Sequence, residues 1–291
     1  MPPTRLRFGI VILPEDRWSV TRERWCAAED YGFDHAWTYD HLTWRMFRDE
    51  PWFGAIPTLT AAALVTSRIR IGTLVASPNF RHPVPFAKEL MTLDDIAGGR
   101  LTLGIGAGGE GWDATALGQT EWSAEERADR FEEFITLLDK LLTQPETNHT
   151  ERFYSAIEAR ALPGCVQRPR VPFAVAAGGP RGMRLAARFG ATWVTLDDRG
   201  KEEEQIERLE TICQEVGREF ESLDKLVLTG FSQNPLGSVS EFEEMAERYA
   251  ETGFTDLVIH WPRASEPFEG DRSVLERIAA DVLLPSSIER R

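Results

Sequence analysis

Asp40 and His41 stand where a short apolar run, His35-Ala36-Trp37-Thr38-Tyr39, gives way to an irregular stretch rich in Trp and Phe. An imidazole changes charge near neutral pH and can pass a proton, while a neighbouring carboxylate can orient it. Parallel α/β proteins place such groups at the carboxyl ends of their strands. The pair alone is equally consistent with a histidine that only donates to a backbone carbonyl, so its meaning depends on its setting. Glu15 lies just past the first apolar run and Glu110 just past the fourth, each an acid in a loop. His260 ends the last such run, where it either faces a substrate or serves the structure.

Glycines supply the second chemical signal. Gly104-Ile105-Gly106-Ala107-Gly108-Gly109 fits the spacing of dinucleotide-binding turns. That reading requires the motif after the first strand of its unit, and an acid closing the second strand about 20 residues on. Here it follows the fourth strand, and 123–130 reads as helix. Close approach of backbone to a ligand, or a turn with positive φ, is the better account. Ala176-Ala177-Gly178-Gly179-Pro180-Arg181-Gly182 precedes a helix, whose bared N–H groups and positive dipole end form an anion site. Arg181 could add charge there, although a tight turn without a ligand uses the same glycines. Tryptophans 37, 44, 52, 112 and 261 fall at or after strand ends. Packing explains most tryptophans, and Trp44 is the one best placed to meet a flat ring.

These groups need a frame that gathers loop ends. Strand patterns at 6–13, 35–39, 69–75, 101–105, 173–177, 192–196, 226–230 and 256–261 alternate with helical ones at 20–31, 57–66, 85–93, 124–142, 181–189, 202–216, 241–251 and 272–282. Ser19 is expected to cap the first helix, Gly32 to end it, and Pro57 to open the second. Strand–helix repetition demands parallel strands with right-handed crossovers. In 291 residues the repeats fit a closed (β/α)₈ TIM barrel better than an open sheet. One domain over 1–291 is expected, with insertions at about 40–56 and 143–170.

A formal net charge of −14 argues against nucleic acid or anionic membrane as a partner. Apolar runs such as 61–65 are too short to cross a bilayer, and the opening Met-Pro-Pro-Thr-Arg leads straight into a strand pattern, so a cytoplasmic protein is expected. Cys26, Cys165 and Cys213 are widely separated and suggest neither disulfides nor a metal site.

Taken in order, Asp40-His41, Gly72-Thr-Leu-Val-Ala-Ser-Pro-Asn-Phe-Arg-His82, Leu103-Gly-Ile-Gly-Ala-Gly108 and Ala176-Ala-Gly-Gly-Pro180 resemble the bacterial-luciferase-like flavin and deazaflavin oxidoreductases, specifically the branch using coenzyme F420. The resemblance covers essentially the whole chain, and the Ala-Ala-Gly-Gly-Pro run is similar to that of the deazaflavin-dependent sugar-phosphate dehydrogenases. It implies His41 as proton donor or acceptor, with Asp40 hydrogen-bonded near the deazaflavin. Glu110 becomes the second acid, Gly109 aligning as well if no gap is admitted. A non-proline cis peptide at Leu74-Val75 is implied behind the ring. Ser77, Ala107, Gly178, Gly179, Arg181 and Gly182 would follow the coenzyme's tail, with Gly108 and Ala177 beside them. Glu15, Trp44, Leu196, Asp197 and His260 would line the substrate pocket.

The implied reaction is hydride transfer between F420 and a small organic substrate, in a barrel that pairs as a homodimer. Sugar-phosphate members present basic residues around the sixth strand and an insertion before the eighth. Here the sixth strand ends in Asp197-Asp198, followed by Arg199, and the chain is too short for that insertion. A non-phosphorylated alcohol, ketone, imine or activated alkene is therefore expected. The alternatives are an FMN-dependent monooxygenase of the same superfamily, and a barrel that binds without turnover.

Overall fold

The protein is described by a computed structural model that covers residues 6–197 and 200–285. Its strands are β1 (Arg7–Val11), β2 (His35–Thr38), β3 (Arg70–Ala76), β4 (Leu101–Gly106), β5 (Thr147–Thr150), β6 (Ser155–Ala159), β7 (Phe173–Ala176), β8 (Thr192–Leu196), β9 (Asp224–Leu228) and β10 (Asp256–His260). All but β5 and β6 close into a parallel barrel in the order β1-β2-β3-β4-β7-β8-β9-β10. The barrel read from the sequence is thus the fold, each barrel strand lying where a strand pattern falls. β5 and β6 form an antiparallel hairpin within 143–170, and 40–56 carries one 3₁₀ turn, Arg45–Phe47.

The helices are α1 (Trp18–Asp30), α2 (Ala55–Val65), α3 (Pro83–Ile96), α4 (Trp112–Ala116), α5 (Ala124–Thr143), α6 (Pro180–Phe189), α7 (Glu202–Val216), α8 (Val239–Thr252) and α9 (Arg272–Ile278). α1 begins a residue before Ser19, so that serine caps nothing; Arg17 holds the cap position with no side-chain bond. Gly32 does follow the helix end, at φ +85. α5 starts with a reciprocal capping box between Ser123 and Glu126. No helix among the described residues is long and apolar enough to cross a membrane.

Alternation along the strands divides the core. Phe8, Ile10 and Ile12 face the helices, while Val11 and Leu13 face the barrel interior with Trp37, Leu74, Val194, Leu228 and Val258. The amino-terminal pole is closed by polar groups. Gly9 leaves the space that the His35 ring fills, since a Cβ there would sit 2.1 Å from Nδ1. His35 Nδ1 accepts from Trp37 Nε1 at 2.6 Å, its Nε2 donates to Asp256 at 2.9 Å, and Arg7 joins the same carboxylate at 2.8 Å. Burial by itself would raise the Asp256 pKa, but His35 and Arg7 outweigh it and hold the carboxyl down to about 2. With that pole plugged, the space for a ligand lies at the carboxyl ends of the strands.

Candidate active site

A cavity of about 590 Å³ opens at those strand ends, within the roughly 300–1,000 Å³ range of small-molecule sites. It is lined by His41 and Trp44 after β2, Leu74 and Val75 in β3, and Ser77 just beyond. Ala107, Gly108 and Glu110 contribute after β4, Ala177 and Gly178 after β7, and Leu196 and Asp197 at the end of β8. These expected residues converge from the ends of five barrel strands. Asp40, Glu15, Gly179, Arg181, Gly182 and His260 do not line it.

The strands are shaped for this. The Leu74-Val75 peptide is cis, and the β3–β4 register shifts between Thr73 and Ala76. A Cβ on Gly104 would meet the Thr73 oxygen at 1.9 Å, and one on Gly106 would press Val75 Cγ2 at 3.2 Å. Gly104 therefore lets two strands pass closely, which corrects the ligand reading for that residue. Gly108 takes φ +75, with Asn79 filling the place of a side chain.

His41 is held by a residue that sequence reasoning passed over. Its Nδ1 lies 2.7 Å from Asp113 Oδ2, and Asp113 Oδ1 accepts the Leu42 N–H at 2.7 Å. Asp113 is buried in α4, a helix of five residues that carries no readable periodicity. The available signal was an acid shortly after the glycine run, in Glu110-Gly-Trp-Asp113. Glu110 itself is exposed at the cavity. Trp52 Nε1 donates to the His41 carbonyl at 3.0 Å.

Trp44 is buried, edge-on to Tyr39 at 5.0 Å and stacked near Phe47, Trp52 and Phe268. It presents an aromatic wall to the cavity. The other tryptophans singled out serve packing or ties: Trp37 bonds His35, Trp112 Nε1 donates to the Arg45 carbonyl, and Trp261 stacks on Tyr31.

The residues outside the cavity have other partners. Asp40 is buried and gives both oxygens to Arg81, Oδ1 at 2.7 Å. Arg181, expected to add charge to an anion site, pairs at 2.6 Å with Asp129 and with Glu132 on α5. Glu15 pairs with Arg263 at 2.9 Å. His260 is buried, with Nδ1 donating to the Thr229 carbonyl at 3.0 Å and Nε2 accepting from Tyr39 Oη at 2.7 Å. Burial pushes its pKa down to about 3, so the ring is neutral and structural. Asp197 reaches the cavity, but its oxygens accept N–H groups of Gly230, Phe231, Ser232 and Gln233; burial raises its pKa against those bonds. Asp198 and Arg199 lie outside the described residues.

A family model for luciferase-like monooxygenases matches residues 6–250. An F420-dependent glucose-6-phosphate dehydrogenase of Amycolatopsis mediterranei is 32% identical, over 83% of this chain and 80% of the relative. One from Beutenbergia cavernae is 30% identical over 88% and 90%. Among solved structures, an F420-dependent secondary alcohol dehydrogenase in complex with an F420-acetone adduct superposes with a TM-score of 0.83 at 17% identity, covering 97% of this chain and 99% of that one, a likeness of fold. A match over most of the chain, on a closed parallel barrel with its cavity at the strand ends, places this protein in the luciferase-like oxidoreductase family.

Proposed function

We propose that this enzyme is an F420-dependent oxidoreductase, with His41 moving the proton that accompanies hydride transfer and Glu110 as the second acid. The observation that carries the reading is a tethered imidazole in a cavity walled by Trp44, the Leu74-Val75 bulge and the turns at Gly108 and Gly178. These residues fit a flat ring with an anionic tail. Leu74, Val75 and Trp44 offer apolar faces, and Gly178 and Gly179 stand at the α6 amino terminus with open space where side chains would be. The bound coenzyme supplies the hydride carrier. His41 and Glu110 then hold or take the proton at the substrate, and positioned acid–base groups of this kind contribute about 10²–10⁴ in rate. Trp44 and Phe231 add aromatic surface to the cavity lining.

The two curated relatives above act on a sugar phosphate, whereas this cavity supports a non-phosphorylated alcohol, ketone, imine or activated alkene. Besides His41, the basic side chain among its described lining residues is Arg45, set against Glu110, Asp113 and Asp197. A phosphate dianion finds little complement there. Titration of the purified protein with F420 and with FMN tests the cofactor. Micromolar F420 affinity with much weaker FMN binding is expected, and the reverse would establish the FMN monooxygenase reading. In the same preparation, secondary alcohols should exceed glucose-6-phosphate in kcat/KM by at least about tenfold, or roughly 1.4 kcal/mol. The reading extends to a cytoplasmic location and to a homodimer, the latter tested by sedimentation at micromolar concentration.

A further inference from the structure

We propose that Asp113 is a positioning residue for proton transfer, fixing His41 in the Nδ1–H tautomer so that a bare Nε2 faces the cavity. This rests on the reading of His41 as the proton carrier. An ionised carboxylate only accepts, so at 2.7 Å from Asp113 Oδ2 the His41 Nδ1 must carry the hydrogen. The neutral ring then keeps its lone pair on Nε2, for which no protein partner exists among the described residues. The contrast with the other barrel histidines is direct. His35 has both nitrogens engaged by Trp37 and Asp256, and His260 by Tyr39 and Thr229. His41 is tied on one side and open on the other, and its ring lines the cavity.

Asp113 also holds the backbone that carries the ring, because its second oxygen takes the Leu42 N–H at 2.7 Å. Its side chain is only 3% exposed, so water competes little for either bond. α4 is fastened to the same loop at two further points. Trp112 Nε1 donates to the Arg45 carbonyl at 3.2 Å, and the Arg48 guanidinium lies 4.0 Å from the Trp112 ring centre. The segment after β4 thus sets both where His41 stands and which nitrogen it offers. A proton carrier locked in one tautomer loses no time in the wrong one, the role that partners behind functional histidines generally play.

The test has two readouts. Long-range ¹H–¹⁵N NMR of the coenzyme-free protein above the imidazole titration should show His41 as a single Nδ1–H tautomer, with Asp113→Ala shifting population to Nε2–H. In turnover, Asp113→Ala should lower kcat by about 10- to 100-fold, with F420 affinity changed by less than about twofold. Asp113→Asn, whose amide can serve either tautomer, gives the same direction at smaller size and replaces the alanine variant if that does not fold. A wild-type Nε2–H tautomer, or an unchanged tautomer in folded Asp113→Ala, overturns the proposal. Failure to bind or turn over F420 while the tautomer still shifts overturns the proposed function and leaves the Asp113 tether standing.

Discussion

At the scale of single residues, Asp40 and His41 are neighbours with separate tasks. Successive residues of extended chain project to opposite sides, so His41 enters the cavity while Asp40 turns to Arg81. The Asp40–Arg81 pair is nearly dry, with side chains 2% and 11% exposed, and the guanidinium also lies over Phe86 at 4.2 Å. Removing one partner leaves a buried charge unmatched. Arg81→Met should therefore cost about 3–5 kcal/mol in urea unfolding, and adding Asp40→Asn should recover most of it. The adjacency was legible in sequence, whereas the partners, 41 and 72 residues away, were not.

At the scale of elements, the tight place is the β3–β4 crossing at the bulge. Gly104→Ala would put a methyl carbon 1.9 Å from a backbone oxygen that cannot move without displacing a strand. Its cost should reach or exceed the upper end of the roughly 1–3 kcal/mol typical of overpacking, read by thermal or urea melting. Gly109→Ala is the control, since nothing lies within 4 Å of its Cβ position, and it should change stability by less than about 0.5 kcal/mol. Helices with long periodic faces or paired caps, such as α5 and α7, were readable to within a residue or so. α4 and the β5–β6 hairpin were not, because α4 has only five residues and the hairpin strands Thr147–Thr150 and Ser155–Ala159 lack the continuous apolar runs of the buried barrel strands.

At the scale of the whole molecule, protonation links the two ends of the barrel to stability. The unfolded chain takes a proton on His260 near its ordinary 6.5 and the folded chain only near 3. Between those values the unfolded state holds more protons, so stability falls as pH drops, by at most about 1.4 kcal/mol per pH unit. Asp256 adds to this at lower pH. Its folded pKa of about 2 lies below the ordinary 3.8, so its contribution is complete above about 4 and is lost as pH falls towards 2. Urea midpoints should decline from pH 7 to pH 4, with a shallower slope in His260→Gln, and Asp256→Asn should flatten the segment below pH 4.

The amino-acid sequence by itself determined the repeating strand–helix architecture and the rim at which the cavity opens. Hydrophobic period, caps and glycine turns are local, and right-handed parallel crossovers leave few ways to assemble them. Tertiary structure decided which charged groups were available. Barrel closure brought Glu15 to Arg263, 248 residues apart, and His260 to Tyr39, 221 apart, giving both candidate pocket residues to the structure. It also brought Asp113 to His41 and thereby set the ring's orientation. Distances of about 3 Å between distant residues arise from strand register and loop closure, which residue spacing along a chain does not encode.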